Sequence, residues 1–353
     1  MTMKKPSTYT FWFLISLPVL ALAEPPKGTI EAEWAIEEHL ANPDARQNWV
    51  VDQDWQTDFN VELGLTQNGF GLSTALTTDQ VSLTELYYES AIAWMDYSLG
   101  LRKQEWAYAW YESQLNWLDD QQYALAEHYF SVGSGQLFCR TSDGLCGTRF
   151  SGWYNRFDWQ YLLGHSNRWH SAAALQYQFG SGGLSYIESA VEENAKVTEL
   201  RSLAPSVMQL KTTKQTAWQN HIGLQWTTGF NLTLLGEWVY RPQALDRNDW
   251  QNISQQLTTH QAGLLADSFE QPLSQQTFLL REQWQADALS LENVTLYWPQ
   301  AKHSFINECT IKYEANAVLT LSAQWQHAGH SSVLADIGQG DTVRLGITFN
   351  DGW

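Results

Sequence analysis

The sequence predicts an all-β protein, a transmembrane antiparallel up-and-down β-barrel of about 14 strands, with a range of about 12 to 16. Three observations carry this prediction. The N-terminus has the form of an export signal. The chain holds 19 Trp, 15 Tyr and 14 Phe, and runs of about ten residues alternate between apolar and polar side chains. A strand of that length with one apolar and one polar face is long enough to cross a bilayer when it is tilted.

The N-terminus predicts a secretory signal peptide over residues 1–23. Lys4 and Lys5 precede the almost wholly apolar stretch Phe11–Leu22, and Ala21-Leu-Ala23 supplies the small residues of a cleavage site. The apolar stretch, about 12 residues long, is too short for a membrane-spanning helix. A retained short anchor helix is the alternative. Export by this signal is consistent with the outer membrane of a Gram-negative cell.

The remainder of the chain, residues 24–353, is predicted to be one outer-membrane barrel domain, because it shows no linker, low-complexity tract or shift in composition. The formal net charge of −18 disfavours nucleic acid as a partner, since an acidic chain repels phosphate. The aromatic excess fits the girdles of a barrel, where rings lie at the two membrane interfaces. A soluble, carbohydrate-binding β-sandwich would also be rich in tryptophan. No cofactor is implied.

Alternating runs recur along the chain and predict its strands. Asn68-Gly69 lies between two such runs and predicts a hairpin. A large soluble sandwich or propeller is the alternative, but the sequence has no blade-like repeat. The polar faces also carry Gln, Asn, Glu and His on nearly every run, which a wet lumen accommodates and a sandwich core does not. The predicted runs are residues 55–65, 70–76, 86–94, 153–163, 169–179, 218–226, 230–240, 278–286, 294–298, 311–313, 319–325 and 343–349.

Two stretches do not follow the alternating pattern. Glu37 to Asp54 predicts a loop after a first short strand. Glu188 to Lys214 contains many charged residues and Pro205, and it predicts a loop with room for a short helix. In a barrel, this second loop would either lie outside as a solvated surface loop or fold into the lumen, and the surface position is favoured.

Two of the three cysteines predict a disulfide. Cys139 and Cys146 lie in a polar, glycine-containing stretch, and in an oxidising compartment this spacing predicts a small disulfide-closed loop. A metal site is disfavoured, because no His or further Cys completes a four-ligand set, and no metal is predicted elsewhere. Cys309 stands alone in a strand pattern and is predicted to be inert.

A further group of segments carries a family resemblance. The segment Glu85-Leu-Tyr-Tyr-Glu89 is followed by Tyr97–Lys103 and then by Trp106. Together with the opening Gly28–Trp34 and the C-terminal aromatic Trp353, these segments resemble porin-like and alginate-export-type outer-membrane proteins of Gram-negative bacteria. The resemblance implies a barrel inserted by the outer-membrane assembly machinery, with Trp353 as an interface anchor and part of the assembly signal. Alginate-export-type barrels resemble arginine-lined anion conduits, whereas this chain has 38 acidic and 20 basic residues, so anion selectivity does not carry over.

Charged side chains oppose the apolar faces of the predicted strands. Their parity predicts that they line a water-filled lumen and set its charge preference, as rings of charged side chains do in channels. Internal salt bridges that fill a closed barrel are the alternative. The predicted lumen residues are Asp58, Glu62, Glu85, Glu89, Arg102, Arg156, Asp158, Glu237, Arg281 and Arg344.

The sequence therefore predicts a porin-like channel in contact with outer-membrane lipid, for passive passage of small polar or cationic solutes, and no enzymatic activity. It does not identify the solute. An outer-membrane hydrolase is a weaker alternative: His165-Ser166 and His170-Ser171 supply residue types for an activated nucleophile, but neighbours on a strand point to opposite faces. A non-conducting barrel with a structural, adhesive or complex-forming role is the other alternative.

Overall fold

In the described part of the chain, 18 strands form one antiparallel sheet that closes on itself, because the first strand pairs with the last. The computed structural model describes residues 27–40, 56–77, 81–92, 95–102, 106–110, 115, 121–204, 207–256, 274–301, 304–329 and 341–352. The strands are β1 Lys27–Leu40, β2 Gln56–Gln67, β3 Phe70–Thr77, β4 Val81–Ile92, β5 Met95–Arg102, β6 Gln121–Phe130, β7 Gly133–Arg140, β8 Cys146–Tyr154, β9 Phe157–His165, β10 Trp169–Phe179, β11 Gly183–Ala204, β12 Val207–Thr227, β13 Leu232–Tyr240, β14 Gln276–Ala286, β15 Leu289–Trp298, β16 Ser304–Asn316, β17 Leu319–Ala328 and β18 Asp341–Gly352.

The closed barrel confirms the predicted fold class, but the strand number, 18, exceeds the predicted range. One reason is that the sequence pattern predicts one strand where the structure has two. Residues 153–163 were predicted as one strand, whereas β8 ends at Tyr154 and β9 begins at Phe157. Asn155 has a φ of 56° in the turn between them, a conformation that Asn tolerates better than most residues. Strands β6, β7 and β11 also had no predicted run of their own.

The long hairpin of β11 and β12 is a second correction. Residues 188–214 were predicted as a loop with room for a short helix, but they pair as antiparallel strands, from Gly183↔Trp226 to Ala204↔Val207. Strand β11 has 22 residues, which at about 3.3 Å per residue is about 70 Å. The apolar band of an outer-membrane barrel is only about 25 Å tall, so the hairpin extends well beyond the membrane.

The first strand is also longer than predicted. Strand β1 has 14 residues and ends at Leu40, so the predicted loop of residues 37–54 begins inside a strand. Residues 41–55 lie outside the described part of the chain, as do the predicted signal peptide and Trp353.

The two ends of the barrel differ in their connections. At one end, tight turns join β2 to β3, β6 to β7, β8 to β9 and β14 to β15, and Asn68-Gly69 makes the first of these turns with positive φ at both residues. That end also holds the start of β1 and the end of β18, since Thr29 pairs with Gly352. The longer connections lie at the opposite end. Outer-membrane barrels place short turns on the periplasmic side and long loops outside.

The two faces of the sheet differ in polarity. Along β9 and β10, apolar residues such as Leu163 and Leu175 are exposed on the outward face. Their neighbours on the inward face, including Gln160 and His170, are buried inside the barrel. This arrangement is the reverse of a soluble sandwich, and it is what lipid outside and polar contents inside require.

A helix, α1 Arg247–Gln256, lies in the connection between β13 and β14. Asp246 caps its first turn, because the Asp246 carboxylate accepts hydrogen bonds from the backbone N–H groups of Asn248 at 2.7 Å and Asp249 at 2.9 Å. Trp250 in the next turn is buried. None of the helices in the described ranges is long and apolar enough to cross a membrane.

Candidate pore constriction

Residues 106–110, here called the inserted segment, lie inside the barrel. They belong to the connection between β5 and β6, yet they contact inward-facing side chains on strands from β7 to β14. The wall from β7 to β14 spans seven strand spacings, or more than about 30 Å, whereas five residues reach at most about 18 Å. The segment can touch both ends of that wall only by crossing its concave, inner side.

Two buried glutamates hold the backbone of the inserted segment. The Glu188 carboxylate on β11 accepts hydrogen bonds from the N–H groups of Tyr108 and Ala109, the latter at 2.7 Å. The Glu237 carboxylate on β13 accepts one from the N–H of Trp110 at 2.6 Å. The two glutamates are 1% and 3% exposed. Hydrogen bonds from N–H groups to an ionised carboxylate are among the strongest in proteins, so these contacts fix the position of the segment.

Aromatic and cationic side chains hold the two ends of the segment. The Trp106 ring packs on Phe138 of β7 with centroids 5.2 Å apart, and the Arg149 guanidinium lies 5.3 Å from the Trp106 ring centroid. At the other end, the Arg281 guanidinium lies 4.8 Å from the Trp110 ring centroid. Such cation–π contacts favour the flat arrangement of each ring against the wall.

The side chain at the centre of the inserted segment remains neutral. Burial, together with the negative charge of Asp158, raises the pKa of Tyr108 to about 12. Its phenol therefore stays protonated at physiological pH and presents a hydroxyl, not an additional charge.

An apolar cluster fills the space beneath this segment. Trp106 and Leu115, both from the β5–β6 connection, are buried among side chains of the wall. Because that side of the interior is filled with packed side chains, open space for a solute is displaced toward the opposite wall. The other cluster members are Tyr123, Leu125, Phe138, Leu145, Leu162, Ala172 and Ala174.

The opposite wall carries four of the predicted lumen residues on its inward face. Asp58 and Glu62 lie on β2, and Glu85 and Glu89 lie on β4. Glu62 pairs in register with Glu31 of β1, and its Oε1 accepts a hydrogen bond from Ser73 Oγ at 2.8 Å. The structure thus brings acidic side chains from adjacent strands onto one surface.

The other predicted lumen residues that lie on strands are divided between the acidic wall and the wall that contacts the inserted segment. Glu237 is buried under the inserted segment, and Arg281 pairs with Glu292 of β15. Arg344 Nη2 lies 3.1 Å from Glu33 Oε1, so this arginine is engaged with an acid of β1. Asp158 lies inward on β9, with Gln178 Nε2 at 3.5 Å from its Oδ2.

Two predicted residues lie in other positions. Arg156 was expected on a strand, but it is in the turn between β8 and β9, where it is exposed. The backbone of Arg102 ends β5, and its side chain lies outside the described part of the structure.

Glu188 and the inserted segment are site residues that the sequence reasoning missed. The sequence pattern predicts a loop at Glu188, and Trp106 enters only through the family resemblance. A signal was present in Trp106-Ala-Tyr-Ala-Trp110, an aromatic-rich run in a connection between strands. Large rings in a connection need a surface to pack on.

The predicted disulfide is present at the long-loop end. Cys139 and Cys146 are bonded, and they close the turn between β7 and β8. Within it, the Arg140 guanidinium lies 2.7 Å from the Asp143 carboxylate. This partner, with the backbone N–H of Leu145, lowers the pKa of Asp143 to about 2. Leu145 packs into the apolar cluster beneath the inserted segment, so the disulfide-closed turn supports that cluster.

The closed barrel and its inserted segment define a porin-like β-barrel fold. The chain is similar to the solved Pseudomonas aeruginosa protein OccK5 (OpdH), with 8% sequence identity, a TM-score of 0.60 and coverage of 93% of this chain and 98% of that one. It is similar to Pseudomonas aeruginosa OpdL, with 10% identity, a TM-score of 0.59 and coverage of 95% of this chain and 100% of that one. It is also similar to Pseudomonas aeruginosa OccK2 (OpdF) in complex with glucuronate, with 10% identity, a TM-score of 0.57 and coverage of 92% of this chain and 97% of that one. At these identities the likeness establishes the porin fold. No protein-family model matches the sequence, and neither does any curated protein.

Proposed function

We propose that the protein is an outer-membrane channel for the passive passage of small polar or cationic solutes. The observation that carries the proposal is the inserted segment, held across the barrel by Glu188 and Glu237. A segment fixed in this way narrows the lumen without filling it, and the free path lies along the acidic wall of β1 to β4.

The charge of that wall supports a preference for cations. Glu31, Asp58, Glu62, Glu85 and Glu89 share its inward face, and a low-dielectric wall lined with one sign of charge concentrates counter-ions. One structural neighbour, OccK2, was solved with glucuronate, an anion. The acidic wall argues for the opposite charge preference in this chain.

Ion selectivity tests the proposal directly. The purified protein is reconstituted into planar bilayers under a KCl gradient, and the reversal potential gives the permeability ratio of K⁺ to Cl⁻. We expect a cation preference in the wild type. In the variant Asp58→Asn/Glu62→Gln/Glu85→Gln/Glu89→Gln, we expect that ratio to fall by at least about threefold, because the local counter-ion concentration drops.

A matched control removes one negative charge elsewhere. Asp287 lies exposed in the tight turn between β14 and β15 with a φ of 46°, a conformation that Asn also adopts. Asp287→Asn should leave the permeability ratio unchanged. An anion preference in the wild type would contradict cation selectivity, and no conductance at all would favour the non-conducting class instead.

A further inference from the structure

Two large aromatic side chains lie inside the barrel and remain about half exposed. Tyr129 on β6 is 57% exposed, and Trp153 on β8 is 53% exposed. Other inward rings, such as Tyr123 and Phe138, are 2% exposed and fill the apolar cluster beneath the inserted segment. Large rings that stay exposed on one surface form an apolar patch, and such a patch is typical of a binding site.

The strand parity shows that both rings face inward. Tyr129 has the parity of Tyr123, a member of the apolar cluster. Trp153 has the parity of Arg149, whose guanidinium contacts the Trp106 ring inside the barrel. Since alternate residues of a strand point to opposite faces, neither ring faces the lipid. The role of membrane-interface anchor, which accounts for outward rings, therefore does not account for these two.

The two rings flank a pair of small residues at the tight-turn end of the barrel. Tyr129 precedes the last residue of β6, and Trp153 precedes the last residue of β8. Ser134 pairs in register with Tyr129 and with Ser151, and the two serine hydroxyls share a hydrogen bond at 3.1 Å. The strand spacings place the Cα atoms of Tyr129 and Trp153 about 12 Å apart. These four residues are here called the rim cleft, with the serines as its floor.

Carboxylates lie beside both rings. Glu127 shares the inward face of β6 with Tyr129, and its carboxylate accepts a hydrogen bond from the Tyr129 hydroxyl. Asp96 on β5 pairs in register with Glu127, and Asp158 on β9 pairs in register with Trp153. Like charges directly opposite each other on a sheet are destabilising, so a bound cation would stabilise the pair of Asp96 and Glu127. The three carboxylates are here called the rim acids.

The arginines of this part of the wall do not neutralise the rim acids. Arg149 donates hydrogen bonds to Gln136 at 3.2 Å and to Gln160 at 3.1 Å. Arg156 is exposed in the turn between β8 and β9. None of the ion pairs within the described ranges includes a rim acid. The negative charge beside the rim cleft is therefore available to a solute.

We propose that the rim cleft binds organic ammonium ions that carry an apolar body. An ammonium group is attracted to the face of a Trp or Tyr ring within about 6 Å of the ring centroid, and the cleft offers one such ring on each side. The rim acids add the attraction of fixed negative charge, and the apolar body covers ring surface that a metal cation leaves exposed. The inference rests on the proposed channel function, since it names a class of solute, but binding in the cleft does not require conduction.

Choline and its uncharged isostere neohexanol test the rim cleft in barrels held in lipid nanodiscs. Saturation-transfer NMR observes the methyl protons of each probe and gives its dissociation constant without any need for conductance. We expect choline to bind at least about fivefold more tightly than neohexanol, because only choline is attracted by the rings and the acids. Equal binding of the two probes, or no binding of choline, would overturn the proposal.

Removal of the rings separates the cleft from the rest of the lumen. Tyr129→Leu/Trp153→Leu keeps the rim acids and should weaken choline binding at least about fivefold. The matched control Phe130→Leu/Tyr154→Leu changes the adjacent residue of each strand, which is exposed on the outward face, and should leave the dissociation constant unchanged. Heat-modifiable migration on SDS gels checks that each variant is folded. A folded ring-free barrel that binds choline as the wild type does contradicts the assignment.

Neutralisation of two rim acids provides an arm that keeps both rings. Asp96→Asn/Glu127→Gln should weaken choline binding and leave neohexanol binding unchanged, and an unchanged affinity for choline would count against the cleft. The planar-bilayer recordings then separate the two proposals. A cation-selective current without choline binding would overturn the rim cleft alone, whereas choline binding without current would overturn the channel and support the cleft.

Discussion

Glu188 and Glu237 illustrate how buried acids can position a loop segment inside a barrel. Each carboxylate is almost fully buried: Glu188 accepts hydrogen bonds from backbone N–H groups of the inserted segment, and Glu237 accepts one from the segment and one from the Tyr186 hydroxyl. Burying a charge is costly unless it is hydrogen-bonded, and the inserted segment supplies hydrogen bonds to both acids. The position of the segment and the burial of these two acids are therefore linked.

Replacement of Glu188 tests that link. Glu188→Ala removes the acceptor for two N–H groups, and we expect the free energy of unfolding to fall by about 3 kcal/mol, since hydrogen bonds to a charged group contribute about 1.5 to 3 kcal/mol each. Urea titration in lipid vesicles measures this loss, and single-channel recording should show added current noise from a looser segment. Glu188→Gln keeps an oxygen acceptor and should lose about half as much. Unchanged noise and stability in Glu188→Ala would contradict the role given to this carboxylate.

The hairpin of β11 and β12 changes its environment along its length. Strand β10 pairs with β11 only as far as Glu192, and β13 pairs with β12 only as far as Asn220. The register of the hairpin is irregular between Glu192 and Ala195. Among the described strands, the two pair only with each other beyond that point, so the outer part of the hairpin adds little to barrel closure.

Truncation of the hairpin should therefore be tolerated. Residues 196–214 are replaced by Asn-Gly, which favours a tight turn between paired strands. We expect the barrel to fold, with heat-modifiable migration like that of the wild type. A matched deletion of residues 184–190, which pair with β10 and β12, should abolish that migration. Failure of the outer truncation to fold would show that the extension supports the barrel.

The strands also show which elements the alternation of apolar and polar residues can predict and which it cannot. Asn68-Gly69 was predicted as a hairpin and forms one, and the final strand was predicted from its alternation. Strand β7, with Gly133, Gly135 and a buried Phe138, has no such alternation to detect, because its inward face packs on the inserted segment and not on water.

The position of the inserted segment was beyond sequence reasoning for a different reason. The contacts that place the inserted segment join residues 79 and 127 positions apart, from Ala109 to Glu188 and from Trp110 to Glu237. The position of a charged residue in an alternating strand predicts the face on which its side chain lies, but not which loop contacts that side chain. The predicted lumen residues of β2 and β4 lie on the inward face of the sheet, and Glu237 is buried under the inserted segment; their role in a lumen stays a prediction.

The barrel as a whole has two unlike walls. From β6 to β14, the inner face is covered by the inserted segment and packed side chains. From β1 to β4, acidic side chains share the inner face. A solute crossing the barrel would meet charged side chains on one side and a packed surface on the other. The fixed charge would therefore act on the solute from one wall along its path, and not from a symmetric ring of charges.

Fixed charge along one wall predicts the salt dependence of conductance. The Debye length is about 10 Å at 0.1 M salt and about 3 Å at 1 M, so the acids enrich cations most strongly in dilute salt. Between 1 M and 0.1 M KCl, we expect the wild-type conductance to fall by clearly less than about tenfold, whereas the variant with Asp58, Glu62, Glu85 and Glu89 neutralised should fall in proportion. Identical curves for the two proteins would contradict the electrostatic role of this wall.

The pairing of the first strand with the last has one more consequence. Thr29 lies beside Gly352 in the register, so the two ends of the sheet are neighbours on the tight-turn side of the barrel. A short linker would join them, and the chain could then be cut at the Asp287–Ala288 turn, which lies on that same side. Such a circular permutant would keep all the strand neighbours while reversing which half of the chain is synthesised first.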